Sequence, residues 1–334
     1  MKFDFCIGNP PYQDDRQGDS TTALPVYHQF MEAAYQVGTA VELITPARFL
    51  FNAGRTPKKW NEKMLNDPYL SVLDYEADGS KVFPSTEIKG GVVITYRDTR
   101  NEHHSIGVFT IYPELNAILA RVQSYNEPSF SELGFVASKF NSEQLFADYP
   151  QYAGHERRMS SNVLAFECFH DVPKTKDVRI YGIYGKSKNR SFRAIDEKYV
   201  DLSDANIRRF KIVMPKADGN GTFGDTLTMP EVIPPRTGFT HTFLGVGGFD
   251  SEDEAIDALK YIKTKFFRAL LGVLKVTQDL NADKFNYIPL QDFTPASDID
   301  WSRSIPDIDR QLYAKYGLDE AEIEFIEIHV KAME

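Results

Sequence analysis

The stretch FDFCIGNPPYQ, Phe3 to Gln13, stands at the head of the chain and decides its reading. Phe3–Ile7 alternates Phe3, Phe5 and Ile7 with Asp4 and Cys6, as a strand does, and it runs straight into Gly8-Asn9-Pro10-Pro11-Tyr12. Two consecutive prolines fix the backbone and remove two N–H donors. What remains beside them is rich in acceptors: the Asn9 side-chain oxygen and the backbone carbonyls of Pro10 and Pro11. Tyr12 adds a flat apolar wall. In open α/β sheets ligands lie beyond the carboxyl ends of the strands, which places Asn9–Tyr12 in a crevice.

The pattern outward from this strand predicts alternating strand and helix over the first ~110 residues. Residues 13–24 are polar and read as a loop. Tyr27, Phe30, Met31 and Ala34 fall on one helical face, which Gly38 ends. Val41–Thr45 is a strand, Trp60, Met64 and Leu65 mark a helix, and Tyr69–Tyr75, Gly91–Tyr96 and Ile106–Ile111 are three further strands. Such alternation predicts an α/β sheet with parallel strands. Past residue 125 the strands are short (Arg179–Tyr184, Phe210–Met214) and turn residues crowd in. One long helix follows Asp250-Ser-Glu-Asp-Glu254, with Ala255, Leu259, Ile262, Phe266, Leu270 and Val273 as its stripe. Two helices close the chain, with Gly317 ending the first and Asp319 with Glu322 forming a capping box for the second.

The 334 residues suit two domains and a tail. The two cysteines, Cys6 and Cys168, build no disulfide framework and point to a reducing cytoplasm, and no apolar run reaches membrane length. The seven histidines have no ligand spacing, so no metal site is expected. The net charge of −10 argues against a general nucleic-acid binder, yet the charge is unevenly distributed. Residues 174–216 hold 12 Lys+Arg against 5 Asp+Glu, whereas residues 292–334 hold 4 against 11. A basic stretch in an acidic chain is suited to phosphate contact, and its candidates are Lys186, Lys188, Arg190, Arg193, Arg208, Arg209 and Lys216.

Rigid acceptors beside a flat wall suit a planar group bearing NH₂, and adenine has that shape. Two acceptors that bond both amino hydrogens draw the nitrogen lone pair out of the ring and make it a nucleophile, while Tyr12 stacks on the base. Here the chain resembles a known family. NPPY after a hydrophobic strand, LPVYHQFMEAAYQVG with AVELITPARFL after it, KVFPSTEIKGGVVITY, and the segment from Ile288 to Leu318 are similar to the bacterial adenine-specific DNA methyltransferases of the fused type II (type IIG-like) restriction-modification family. The resemblance implies base flipping in double-stranded DNA, a catalytic segment of Asn9, Pro10, Pro11 and Tyr12 in which Asn9 and Pro10 bond the amino group and Tyr12 stacks, Phe83 closing the opposite face, and direct transfer of methyl from S-adenosylmethionine. It also implies an α/β fold: half of a Rossmann-like methyltransferase sheet over 1–125, a mixed α+β target-recognition domain over 126–290 and a helical tail over 291–334.

The donor site of such enzymes forms on a Phe-x-Gly-x-Gly turn after the first strand, ahead of the Asn-Pro-Pro-Tyr segment. Eight residues precede Asn9, so the resemblance makes this chain a C-terminal portion whose S-adenosylmethionine site is completed by a missing N-terminal part. That part, or a partner chain, would cover the sheet edge at Phe3–Ile7. Phe243-Leu-Gly-Val-Gly-Gly248 matches the donor motif in a permuted order, but the polar run before it and the acids after it favour a plain glycine turn ahead of the helix. Two other functions are compatible with parts of the sequence. Asp78 with Glu87-Ile88-Lys89, or Asp196 with Lys198, imitates a nuclease metal site, and the basic stretch alone suits a non-catalytic DNA specificity module working with a separate catalytic subunit.

Overall fold

The structure, a computed structural model, describes residues 3–14, 24–51, 55–84, 88, 90–102, 105–185, 189–219 and 221–333. The chain divides into two compact units, Met1–Asn116 and Ala117–Glu334.

In the first unit β1 (Phe3–Gly8) leads through the segment before Tyr27 into α1 (Tyr27–Val37) and β2 (Gly38–Pro46). Then come α2 (Lys58–Leu65), β3 (Leu70–Glu76) and β4 (Val92–Asp98); α3 (Pro113–Gln123) begins in this unit and has most of its residues in the second. The sheet order is β1-β2-β4-β3. Only β1 and β2 are parallel neighbours, with Cys6 opposite Val41 and Gly8 opposite Leu43. The expected all-parallel sheet is corrected here: β4 lies between β2 and β3, antiparallel to both. β1, β2 and β3 therefore share one direction, and their carboxyl ends emerge on one side of the sheet.

Tyr27 and Met31 of α1 are buried against Val41, Leu43, Phe49, Trp60, Met64 and Leu70. Phe30, on the expected stripe, is 46% exposed, so the buried face runs through Tyr27, Met31, Ala34 and Tyr35 instead. Gly38 ends α1 because the chain turns directly into β2 there; a Cβ would meet Val41 Cγ2 at 2.6 Å and Cys6 Cβ at 3.1 Å. No strand forms over Ile106–Ile111. Gly107 takes a φ of +60° and its N–H donates to the Leu65 carbonyl at 2.7 Å, which ties the segment to the end of α2 rather than to a strand.

The second unit holds two four-stranded sheets. One is β10 (Glu231–Ile233), β9 (Phe210–Pro215), β12 (Phe243–Phe249) and β5 (Gly134–Phe135), antiparallel throughout. The other is β11 (Thr237–Phe239), β7 (Asp177–Tyr184), β8 (Asn189–Asp196) and β6 (Phe169–His170), in which β11 runs parallel to β7. Ala137, Tyr181, Val213, Ile233, Phe239 and Phe243 form one buried cluster drawn from both sheets. A larger cluster fills the space around Phe140, Val178, Ile180, Ile195 and Leu145 of α4 (Ser142–Asp148).

The expected long helix is two helices, α5 (Glu252–Lys263) and α6 (Lys265–Leu274). The break is built at Thr264, whose hydroxyl accepts from the Phe267 N–H at 3.1 Å. Asp309 of α7 (Ile305–Lys315) accepts from the N–H groups of Lys265 and Phe266 at 3.0 and 2.9 Å. These acceptors satisfy the amides that a new helix start exposes. The capping box of α8 (Glu320–His329) forms as read, between Asp319 and Glu322, and Gly317 takes a φ of +62° after α7. The tail helices pack against α6 within this unit, with Tyr316 stacked on Phe266 at 5.0 Å.

Burial raises the Asp309 carboxyl to about 6 despite the two amides. A folded pKa above the unfolded one means that protonation favours the fold, so this contribution is present at low pH and is lost as pH rises through about 6. Asp309→Asn is expected to remove a pH-dependent component on the order of 2 kcal/mol between pH 4 and 7. Urea midpoints of the two proteins across that range check it; parallel pH profiles would contradict it.

Candidate active site

The direction shared by β1 and β3 brings together two segments far apart in sequence. Asn9–Tyr12 leaves the carboxyl end of β1, and the turn containing Phe83 follows the carboxyl end of β3. Tyr12 and Phe83 meet edge to face, with ring centroids 6.1 Å apart and planes at 78°. Asn9 and Pro11 are exposed and Pro10 is half-buried.

Both segments are fixed by local bonds. The Tyr12 carbonyl accepts from the Val26 N–H at 3.1 Å, and the Asp14 N–H donates to the Leu24 carbonyl at 3.0 Å, which pins the two ends of the 13–25 excursion together. On the other side Asp78 accepts from the Ser80 N–H and hydroxyl at 3.1 and 2.6 Å, and the N–H of Phe83 donates to the Gly79 carbonyl at 2.9 Å. Gly79 leaves no room for a side chain, because a Cβ would meet Ile88 Cβ at 2.9 Å.

The Tyr12 ring lies against the core of the first unit, and its hydroxyl is buried without a hydrogen-bond partner. Burial pushes its pKa up to about 12, so the ring is neutral and cannot serve as a base near pH 7. What the ring presents is an apolar face. Sequence reading missed the aromatic nest nearby, where Tyr27, His28, Phe49 and Trp60 pack with centroids 5.3–6.4 Å apart. Within it His28 Nδ1 and Trp60 Nε1 are buried without partners. The helical stripe reported only that Tyr27 and Trp60 would be buried, and nothing in their spacing foretold polar atoms without partners.

The glycine motif at 243–248 is not a turn. Gly245 and Gly247 lie inside β12, paired with Val213 and Lys211 of β9. A Cβ on Gly245 would meet the Cζ atoms of Phe135 and Phe239 at 2.6 Å, so the missing side chain is filled by two phenyl rings of the core. These residues do not fit a cofactor turn. The nuclease patterns gain no support either. Asp78 caps its own turn, Asp196 accepts from the Lys198 N–H at 3.0 Å, and Lys198 pairs with Asp148 at 2.8 Å. Glu87 and Lys89 lie outside the described residues, and among the described residues no cluster of His, Cys, Asp or Glu is poised to hold a metal.

The basic candidates separate by their partners. Lys186 and Lys188 lie outside the described residues. Arg190 pairs with Glu231 at 2.6 Å and donates to the carbonyls of Met229 and Thr228. Arg193 is largely buried and bonds Asp171 and the carbonyls of Leu164 and Phe169. Both guanidinium groups hold the second unit together. Arg208 and Arg209 are exposed, Arg209 near Asp250 at 3.4 Å, and Lys216 is half-buried. Lys211, unremarked in the sequence, is fully buried near the start of β9, where its ammonium donates to the carbonyls of Pro234 and Thr237 at 3.3 and 2.8 Å.

Two substitutions check these roles. Tyr12→Phe is expected to leave thermal stability unchanged or raise it, because it removes a buried hydroxyl without a partner, whereas Tyr12→Ala costs about 1–2 kcal/mol of burial. A clear loss in Tyr12→Phe would reveal a hydroxyl partner. Gly245→Ala is expected to destabilise by about 1–3 kcal/mol through overpacking, read by thermal unfolding; an unchanged melting temperature would contradict the structural role.

A family model matches the same N-terminal region. The family model of the Eco57I restriction-modification methylase matches residues 1–83, which begin at β1 and end on Phe83. A Mycoplasma pneumoniae protein described as an uncharacterized adenine-specific methylase is 30% identical over 95 residues. That match takes in 28% of this chain and 22% of the Mycoplasma protein, so it spans well under half of either. Over the segment that carries Asn9, Tyr12 and Phe83 the chain is therefore similar to a restriction-modification methylase, and over 95 of its residues it is similar to an adenine-specific methylase.

Proposed function

We propose that the protein acts in site-specific methylation of adenine in double-stranded DNA, and that Asn9–Tyr12 with Phe83 receives the target base. One observation carries this reading. An exposed, acceptor-rich segment and two aromatic rings converge at the carboxyl side of the sheet, inside the residues that match a restriction-modification methylase. Asn9 Oδ1 and the Pro10 carbonyl accept from the two amino hydrogens of an extruded adenine, and the double proline holds those acceptors still. The nitrogen lone pair then points away from the ring toward the methyl carbon. Tyr12 and Phe83 lie too close and too nearly perpendicular to sandwich a base between parallel planes. One ring has to turn for the base to enter.

S-adenosylmethionine is the methyl donor in this reading and supplies the electrophilic carbon. β1 is the terminal strand of its sheet, and no strand among the described residues pairs with its outer edge. Phe3, Phe5 and Ile7 on one face are 58, 51 and 69% exposed. An open apolar edge of this kind invites pairing, and in a doubly wound sheet of order 3-2-1-4-5-6 the strand that opens the second half is flanked by the first. A further segment, in the same protein or a partner, would cover β1 and bring the donor site. The second unit would supply DNA contact as the target-recognition domain, and the helices after 291 would brace it. The free cysteines Cys6 and Cys168 fit a cytoplasmic setting, and among the described residues no helix is long and apolar enough to cross a membrane.

The test is transfer of labelled methyl groups from S-adenosylmethionine to mixed-sequence duplex DNA by the protein isolated in its native form. Asn9→Ala is expected to lower the transfer rate by roughly 100-fold or more, as loss of one preorganised polar contact does elsewhere, with DNA affinity unchanged. Transfer that persists in this variant would overturn the assignment. Affinity without transfer in the unaltered protein would favour a DNA specificity module, for which the charge asymmetry of residues 174–216 also speaks.

A further inference from the structure

Most cations of the second unit are matched with acids. Arg157 pairs with Asp201, Lys198 with Asp148, Arg236 with Glu197 and Lys275 with Asp218, in addition to the pairs of Arg190 and Arg193. Two cations and a histidine gathered at one place depart from this. Arg158 stands opposite Lys139 in an antiparallel bridge, and the N–H of Met159 donates to the Ser138 carbonyl at 2.9 Å. The N–H of His241 donates to the Met159 carbonyl at 2.8 Å, and the N–H of Lys216 to the Thr242 carbonyl at 3.0 Å. Backbone bonds thus hold Arg158, His241 and Lys216 on three adjoining segments.

None of these three side chains has an ion pair or a hydrogen bond among the described residues. Arg158 and Lys216 are half-buried, and His241 is exposed. Burial lowers the pKa of Lys216 and the charge of Arg158 lowers it further. Burial also lowers that of His241, then Lys216 and Arg158 do, while Glu156 opposes them weakly. The two cations repel one another, and among the described residues neither has a carboxylate ion pair. Half-buried like charges held together are unfavourable unless an anion joins them.

We propose that Arg158, Lys216 and His241 form a phosphate site that grips the backbone of the DNA duplex. The guanidinium offers paired donors, the ammonium a point charge and the imidazole one N–H, a set that fits the two free oxygens of a phosphodiester. The proposal rests on the DNA-binding reading above and sharpens it. It moves phosphate contact away from Arg190 and Arg193, which are bound internally, and adds Arg158 and His241, which lie outside the basic stretch.

The experiment follows binding of a fluorescent mixed-sequence duplex by anisotropy at several salt concentrations. The proteins are the intact chain, the Arg158→Ala/Lys216→Ala variant, and Arg303→Ala/Arg310→Ala as a charge-matched reference at acid-paired positions. The site variant is expected to bind about tenfold more weakly in 0.1 M salt, and its log–log salt slope is expected to be shallower by about 2, near 0.9 for each lost phosphate contact. The reference should stay within about twofold of the intact chain, an order-of-magnitude tolerance for exposed, screened charges. Arg158→Lys/Lys216→Arg should keep the slope, which separates lost charge from lost packing. A site variant that matches the reference in affinity and slope overturns the site while leaving DNA binding intact. No duplex binding by the intact chain overturns the reading beneath it. If inorganic phosphate stabilises the intact chain but not the site variant while duplex is not bound, the site takes a free anion and the phosphodiester assignment fails.

Discussion

Parallel pairing of β1 with β2 is the constraint on which the first unit depends. Two parallel neighbours cannot be joined by a tight turn, so the chain must leave the carboxyl end of β1, cross over through α1 and return to the start of β2. That path places Asn9–Tyr12 beyond the strand end and buries α1 on the sheet through Tyr27 and Met31. Inserting β4 antiparallel between β2 and β3 then turns β3 the same way as β1, which carries Phe83 to Tyr12. The acceptor corner follows from strand direction, and its rigidity from two prolines and the turn at Asp78.

Much of this was legible. The alternation in Phe3–Ile7, the break at Asn9-Pro10-Pro11 and the stripe of Trp60, Met64 and Leu65 each report a local property, and the structure forms each element. The same holds for the capping box of Asp319 and Glu322, where the sequence names both partners of a bond three residues apart. Phe83 was reachable only through resemblance, because its neighbour Tyr12 stands 71 positions away in the chain and no periodicity links them.

What was not legible depends on partners distant in sequence. Ile106–Ile111 has the residues of a strand, but one hydrogen bond from Gly107 to Leu65 directs it elsewhere. The stripe from Ala255 to Val273 reads as one helix because hydrophobic spacing does not record the acceptor that Asp309 provides at Thr264. Glycines 245 and 247 looked like a turn and are instead the space that Phe135, Phe239 and Phe249 fill. The charge count was the bluntest guide. It grouped Arg190, Arg193 and Lys216, whereas carboxylates at positions 231 and 171 set the first two apart from the third.

The central claim is chemical: the acceptors at the end of β1 select an exocyclic amine on adenine. The most direct measurement is nucleoside mass spectrometry of DNA after reaction with the native protein and S-adenosylmethionine. The account predicts N6-methyladenine as the methylated product. N4-methylcytosine, 5-methylcytosine or unmodified DNA would contradict it.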